Sequence, residues 1–248
     1  MLEADSGKWL WSINTPKPVW TAPLIVGNIL YFASQDGLFQ ALDLSSSKTV
    51  WQIDTGRRLV FAQPAYADGA VYFGAEKTVY AVDALTGKER WKAEGADWNV
   101  PAAAQGKIFA GNTDRRFYAL DAKSGKPLWT FQGKEDVWSA PVIAGDSVIV
   151  GNRDGHLYAL DTRTGEEKWK FKAEDWMVSD PVFAGGVVFV GCGNHHNRNG
   201  PRHLYALDAA TGKALWRFQA AVRLLTAAAL ADHAVFAVTI DGMVYGLR

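Results

Sequence analysis

The residue types best suited to bind a metal ion lie in one polar segment, from Cys192 to His203. The candidate ligands in it are Cys192, His195, His196 and His203. Thiolate and imidazole groups bind zinc and copper, but their spacing here matches no recognised metal-binding signature. Glycine and asparagine dominate the rest of the segment, which is typical of a loop. We therefore predict no metal site. The segment is either a recognition loop, in which Arg198 and Arg202 contact a ligand, or a solvated loop without a role.

Acidic residues recur at a fixed place in the chain, each at the end of a short hydrophobic run. They are Asp43, Asp83, Asp121, Asp161 and Asp208. A reaction centre needs one special arrangement, so acids that repeat in this way are expected to bind the backbone N–H groups of the turns that follow them. No Ser-His-Asp arrangement, glycine-rich phosphate loop or paired-carboxylate motif can be placed. We predict no catalytic residues and no enzymatic activity.

A third set of candidates is mainly aromatic, and its members stand three residues before a proline or its equivalent. The set is Trp20, Phe61, Trp98, Trp138, Val178 and Leu225. Trp176 lies two residues before Val178, and Asp180 is an unusual polar residue directly before its proline. Aromatics that surround a concavity bury a large area at low entropic cost. We predict that these aromatics and Asp180 bind a ligand; the alternative is that the aromatics only plug a channel or stack between sheets.

The elements that position these residues come from a repeat of about 40 residues, a period typical of solenoids and propellers. Its clearest marker is a tryptophan eight residues after each of the five acids and after Glu3, which takes the acid position at the N-terminus. These tryptophans are Trp11, Trp51, Trp91, Trp129, Trp169 and Trp216. The spacings between them are 40, 40, 38, 40 and 47 residues. Because they recur once per repeat, they are expected to pack in the core, between neighbouring sheets.

Each repeat divides into four short β-runs separated by turn signals. Short, evenly spaced strands with one aromatic marker per repeat predict a β-propeller of four-stranded antiparallel blades. After Trp216 only three runs remain, and the chain begins with a single run, Lys8–Ser12. We therefore predict an all-β, six-bladed propeller spanning residues 1–248 as one domain, whose last blade is closed 3+1 by the N-terminal strand. Such closure would remove the exposed strand edges.

Composition excludes several functions. The chain has 26 basic and 26 acidic residues, so it lacks the basic excess typical of nucleic-acid binding. No apolar run reaches the roughly 18 residues of a membrane span. We expect a monomeric domain with no nucleic-acid partner and no direct membrane insertion. The single cysteine and the absence of a signal-peptide pattern leave the compartment open, and we expect the chain to be one domain of a longer protein.

The run Leu157–Asp161, followed by Thr164, Gly165 and Trp169, has a sequence that resembles the pyrroloquinoline-quinone-type repeat. This repeat occurs in quinoprotein dehydrogenases, in BamB-like assembly scaffolds and in propeller domains of bacterial receptor kinases. The resemblance covers essentially the whole chain and implies a fold rather than a chemistry. The enzyme branch holds its quinone against a vicinal cysteine disulfide and has eight blades. This chain has one cysteine, so no cofactor is expected, with pyrroloquinoline quinone as the alternative.

In size the chain is most similar to the receptor-kinase propellers. The sequence thus favours a non-catalytic recognition module that binds a protein, peptide or small molecule and forms part of a larger bacterial receptor. An extracytoplasmic location follows if that parent is a receptor. Two alternatives remain open: a quinone-binding protein or degenerate quinoprotein dehydrogenase, and a BamB-like assembly scaffold.

Overall fold

A computed structural model of the chain describes residues 1–59, 63–95, 98–177, 179–193, 200–221, 224, 228–231, 234–239 and 241–247. The chain forms two compact units, Met1–Gly95 and Ala96–Arg248. The secondary structure of the described residues consists of β-strands and turns. No helix in these ranges has the length and hydrophobicity needed to cross a membrane.

The unit Met1–Gly95 contains two four-stranded sheets, in which each strand pairs antiparallel with the next along the chain. The first sheet comprises β1 (Leu24–Val26), β2 (Ile29–Ala33), β3 (Leu38–Asp43) and β4 (Lys48–Asp54). The second comprises β5 (Ala65–Ala67), β6 (Ala70–Ala75), β7 (Thr78–Asp83) and β8 (Glu89–Glu94). Buried aromatics join them: the rings of Phe39 and Phe73 stack with their centroids 3.8 Å apart.

The unit Ala96–Arg248 contains three more four-stranded sheets and a three-stranded one. The four-stranded sheets comprise β9 (Ala102–Ala104), β10 (Lys107–Gly111), β11 (Arg116–Asp121) and β12 (Pro127–Gln132); β13 (Val142–Ala144), β14 (Ser147–Gly151), β15 (His156–Asp161) and β16 (Glu167–Lys172); and β17 (Val182–Ala184), β18 (Val187–Gly191), β19 (His203–Asp208) and β20 (Ala214–Gln219). The last sheet comprises β21 (Ala229–Ala231), β22 (Ala234–Val238) and β23 (Val244–Leu247). The predicted repeat of antiparallel sheets is confirmed.

The repeat acids close the turn between the third and fourth strands, as predicted. Asp161 shows the pattern: its Oδ1 accepts the backbone N–H groups of Arg163 (2.9 Å) and Thr164 (3.0 Å). These bonds favour the ionised carboxyl and lower the pKa of Asp161. Gly165 follows with φ +76°, a conformation that glycine adopts without strain. The acid is therefore used to fix a turn, and the same bonds recur at Asp43, Asp83, Asp121 and Asp208.

Within each unit, repeat tryptophans bond the turn of the next sheet, and in the unit Met1–Gly95 the indole Nε1 of Trp51 donates to the carbonyl of Ala84 at 2.9 Å. The indole Nε1 of Trp129 donates to the carbonyl of Thr162 at 3.2 Å, and that of Trp169 donates to the carbonyl of Ala209 at 3.0 Å. A Cβ on Gly165 would lie 2.7 Å from the Trp129 ring, so only glycine fits beneath it. Trp216 differs, because it is 39% exposed. The expected core role therefore holds for most of the set and not for Trp216.

Among the described residues the last sheet has three strands, β21–β23, without the N-terminal strand that was predicted to close it. The closure itself stays a prediction, because the N-terminal segment and this sheet belong to different units. The N-terminal segment instead pairs with itself: Leu2 faces Trp9 in an isolated bridge, and Glu3 N–H donates to the carbonyl of Lys8 at 2.9 Å. Gly7 N–H donates to the carbonyl of Glu3 at 2.8 Å. The segment thus reproduces the acid turn of the repeats, with Glu3 in the place of the acid and Gly7 in the place of the glycine.

Candidate functional site

The approach segments, by which we mean the residues leading into the first strand of each sheet, contact the loops between second and third strands. In the unit Ala96–Arg248, Arg153 N–H in the β14–β15 loop donates to the carbonyl of Asp136 at 3.1 Å. Asn152 Nδ2 in the same loop donates to the carbonyl of Glu135 at 2.7 Å. Two kinds of loop are therefore held together by backbone-directed bonds.

Arg153 brings two of the predicted aromatics together. Its guanidinium carbon lies 4.6 Å from the ring centroid of Trp138 and 4.0 Å from that of Trp176, within the range of cation–π attraction. Its Nη1 lies 3.3 Å from Oδ2 of Asp136. We call Asp136, Trp138, Arg153 and Trp176 the Arg153 cluster. The cluster presents one flat cation between two indole rings.

The cluster is partly open to solvent. Trp138 is 38% exposed, and the side chain of Arg153 is 22% exposed. The guanidinium carries five N–H donors. Among the described residues, one side-chain bond from it is seen, from Nη1 to Asp136. Its Nε is buried and has no acceptor, so a ligand would be received by the remaining Nη donors. A cation that is held in place while retaining donor capacity is suited to receive a ligand.

The loop that carries Arg153 is fixed by its own side chains. Asn152 Oδ1 accepts the N–H of Asp154 at 2.8 Å, and Asp154 Oδ1 accepts the N–H of His156 at 2.8 Å. Asp154 Oδ2 accepts the hydroxyl of Tyr158 at 2.6 Å. Burial and this bond raise the pKa of Tyr158, which therefore stays protonated at neutral pH. The Arg153 backbone is thus pre-organised.

Asp180 lies apart from the cluster's ion pair and bonds the backbone beside Trp138. Its Oδ1 accepts the N–H of Ala140 at 2.6 Å. Burial raises the pKa of Asp180, and this bond opposes the increase. Asp180 therefore joins the approach segment of β17 to that of β13. It is an acid whose neutral form is favoured by its surroundings.

The remaining predicted aromatics are not equivalent to one another. In the unit Met1–Gly95, Trp20 is 63% exposed and Arg58 lies 5.7 Å from its ring centroid. Phe61 lies outside the described residues. Trp98 is 5% exposed, and its ring centroid is 5.0 Å from that of Tyr118. Of these, Trp20 has the exposure that a binding residue needs, whereas Trp98 packs in the interior.

The polar segment from Cys192 to His203 is described only at its ends, residues 192–193 and 200–203. Arg198, His195 and His196 lie outside the described residues. Arg202 is partly buried, and its carbonyl accepts the N–H of Ala220 at 2.9 Å. His203 is buried against Tyr205, with ring centroids 5.6 Å apart. No group of three or more metal-ligating side chains occurs among the described residues.

The residues do not fit the quinone site of the enzyme branch. Cys192 is the only cysteine, so a vicinal cysteine disulfide cannot form. Its side chain is buried, and burial raises the pKa of its thiol. We derive no reaction step through a quinone.

Arg153 and Asp136 were missed by the sequence reasoning. One signal was available: Arg153 lies inside an Asn-x-Asp-Gly turn, where the corresponding residues of two other repeats are Gln35 and Thr113. At a loop position, a charged residue that departs from the repeat pattern is a stronger functional signal than a residue that conforms to the pattern.

The interlocked four-stranded sheets define a β-propeller of the pyrroloquinoline-quinone-like repeat class. A family model described as outer membrane protein assembly factor BamB matches residues 1–96, 75–179 and 173–248, so the chain belongs to this family. The crystal structure of BamB from Moraxella catarrhalis aligns with a TM-score of 0.81 and 18% identity, over 96% of this chain and 74% of that one. At this identity the likeness establishes the fold, and the predicted propeller class is confirmed.

Curated relatives match shorter stretches. The chain is 33% identical over 94 residues to the serine/threonine-protein kinase AfsK of Streptomyces coelicolor, covering 36% of this chain and 12% of the kinase. It is 27% identical over 100 residues to a lanthanide-dependent methanol dehydrogenase of Methylacidiphilum fumariolicum, covering 40% of this chain and 15% of that enzyme. The matched stretches are thus a small part of either relative.

Proposed function

We propose that the chain is a non-catalytic recognition module of a bacterial protein, which binds a protein or peptide through the Arg153 cluster. The observation that carries this proposal is the partly exposed Trp138 beside a guanidinium held by a second indole. Tryptophan and arginine are enriched among the residues that dominate binding energy at interfaces. A surface that is already ordered loses little entropy when a ligand binds.

The use of the acidic residues supports a non-catalytic role. The five repeat acids bind the turns that follow them, and the pKa of each one is lowered. The chief cause is the side-chain bond from Arg90 at Asp83, and a backbone N–H or hydroxyl bond from the turn at the other four. A general acid or base at neutral pH needs the opposite, a pKa near 7. Asp180 has a raised pKa, but its carboxylate is bonded to a backbone N–H and no second acid is bonded to it among the described residues. The acids serve structure.

The larger setting is part of the proposal. We place the chain within a larger receptor or assembly protein, outside the cytoplasm and as a monomeric propeller domain of residues 1–248. The kinase relative supports a receptor, and the BamB family match supports an extracytoplasmic setting.

The test is a selection of displayed peptides against the immobilised chain. We expect selected peptides to bind Trp138→Ala at least about tenfold more weakly, because loss of a central aromatic costs 1–2 kcal/mol or more. Leu128→Ala is the matched control, since Leu128 is 51% exposed on the outer strand β12. Peptides that bind Trp138→Ala as well as the parent chain, or a selection that yields none, would contradict the proposal.

An assembly scaffold is the second candidate, and the family match favours it. Here partners would bind the outer strands, which expose Val50, Leu128 and Leu215. The same peptides separate the two candidates, because binding would then be lost in Leu128→Ala and kept in Trp138→Ala.

A further inference from the structure

Arg153 has a feature that recognition by apolar contact alone does not need. Its two aromatic neighbours contact the guanidinium through ring faces, and such contacts consume no N–H donor. The one bond to a side chain, from Nη1 to Asp136, is 3.3 Å long, whereas a strong charge-assisted N–H···O bond is about 2.7–2.9 Å. The two indole rings therefore hold the guanidinium in place, while its hydrogen bond to Asp136 is long and weak.

We propose that the Arg153 guanidinium binds a carboxylate of the ligand, while the exposed indole of Trp138 receives a flat apolar group beside that carboxylate. This inference rests on the proposed function and specifies its ligand chemistry. The planar fork of donors on arginine matches the two oxygens of a carboxylate. Asp136 occupies one donor position at Nη1 and Nε is buried, so the ligand takes the remaining Nη N–H groups of the partly exposed side chain.

Charge decides between a carboxylate and a phosphate. The same loops carry Glu135, Asp154 and Asp175 in addition to Asp136. A phosphate dianion would be repelled by these acids more strongly than a singly charged carboxylate. The surroundings thus favour a weakly charged, planar anion.

Two sources share this chemistry: the C-terminal carboxylate of a peptide that ends in an aromatic residue, and a small aromatic acid. N-acetylphenylalanine represents the first and 2-naphthoate the second. N-acetylphenylalanine amide is the matched control, because it keeps the ring and lacks the charge. Tighter binding of either acid than of the amide supports the proposal. The acid that binds more tightly of the two then identifies the source.

The experiment titrates each probe into the ¹⁵N-labelled chain and follows the arginine Nε–H and indole Nε1–H signals by NMR. We expect saturable shifts at Arg153 and Trp138 with the acids. The amide should bind at least about tenfold more weakly, since a hydrogen bond to a charged group contributes about 1.5–3 kcal/mol. Arg153→Gln should show the same loss, and so should Arg153→Lys, which keeps the charge without the fork.

Arg58→Gln is the matched control variant, because Arg58 also lies against an exposed indole but, within the described part of the chain, over one ring, that of Trp20. It should leave probe binding unchanged. Equal binding of acid and amide, unchanged binding in Arg153→Gln, or no saturable shift at tens of millimolar would overturn the inference. If Arg153→Gln fails to fold, the comparison of acid with amide on the parent chain still decides. Selected peptides that need Trp138 but not a carboxylate would overturn this inference and leave the proposed function standing.

Discussion

Trp98 and Trp138 occupy the same place before two successive sheets, yet one is interior and the other is not. The residue after each bonds the end of the second strand: Asn99 N–H donates to the carbonyl of Gly111 at 2.9 Å, and Ser139 Oγ accepts Gly151 N–H at 2.8 Å. Both residues therefore reach the equivalent glycine of the second strand, Asn99 through its backbone and Ser139 through its side chain. The exposed fraction of the side chain is 5% for Trp98 and 38% for Trp138.

The difference arises from which side chain covers the tyrosine on the third strand of each sheet. Trp98 lies on Tyr118 with ring centroids 5.0 Å apart. In the next sheet the corresponding tyrosine, Tyr158, is covered by Phe131 at 5.0 Å. Trp138 instead lies against Arg153. Repeat position thus places both tryptophans before the first strand of a sheet, and the neighbouring side chains determine whether a tryptophan is buried or partly exposed.

The largest effect is expected when the two tryptophans are removed one at a time. Trp98→Ala should lower the free energy of unfolding by about 3–5 kcal/mol, because it leaves a cavity in the interior. Trp98 Nε1 has no acceptor among the described residues, so the cost comes from packing. Trp138→Ala should cost about 1 kcal/mol or less, as expected for a partly exposed side chain. Urea unfolding of both variants measures the two losses of unfolding free energy. Equal losses would show that Trp98 and Trp138 contribute equally to stability.

Two glycines of one repeat, one beneath a tryptophan and one in open space, sharpen the contrast. Gly165 has φ +76° and lies beneath the Trp129 ring, whereas Gly145 has φ +64° with open space around it. Gly145→Ala should cost about 1–2 kcal/mol, the penalty for a left-handed conformation. Gly165→Ala should cost about 1–3 kcal/mol more, because the added methyl group overlaps the indole. The difference in unfolding free energy between the variants isolates the steric contribution, and equal costs would show that the ring moves freely.

Much of the fold could be predicted from the sequence because it depends on local, repeated chemistry. The hydrophobic run, the acid, the glycine and the tryptophan recur at fixed spacing, and each has the same physical task in every repeat. The pairing within the N-terminal segment was not predicted in this way. The N-terminal segment contains an acid and a glycine at turn spacing, Glu3 and Gly7, which pair the segment with itself.

The candidate site was less predictable because it depends on residues that break the repeat. Spacing selected Trp98 and Trp138 together, and spacing alone cannot show that Phe131 covers one tyrosine while Trp98 covers the other. Arg153 was missed because a single charged residue in a turn carries no periodic signal. Its two indole partners are distant in sequence, and only the folded chain places them around it.

A smaller effect should measure the interaction between Trp138 and Arg153. A double-mutant cycle with Trp138→Ala and Arg153→Gln should give a coupling energy of about 0.5–1 kcal/mol, the value for a partly exposed cation–π pair. The corresponding cycle with Trp98→Ala and Arg153→Gln should give about zero, since Trp98 packs on Tyr118. Unfolding free energies of the single and double variants supply both numbers. Coupling at Trp98 equal to that at Trp138 would show that the two positions do not differ as described.

The smallest expected effect is a pH dependence that belongs to the Trp138 side of the comparison, through the bond from Ala140 to Asp180. Burial raises the pKa of Asp180, so the folded chain holds this proton more tightly than the unfolded chain does. The stabilisation is then present below the unfolded pKa and is lost as pH rises through the folded pKa. Asp180→Asn stays neutral and its amide oxygen can still accept the Ala140 bond. Its stability relative to the parent chain should therefore increase from pH 3 to pH 7, by about 1 kcal/mol or less.

Asp121→Asn is the control of opposite sign, because bonds from Ser124 and Lys123 lower the pKa of Asp121. That variant should lose stability relative to the parent chain as pH rises over the same range. A loss of stability at neutral pH in Asp180→Asn would mean that the ionised carboxylate is the form that holds Ala140, and that the approach segment beside Trp138 is kept in place by charge.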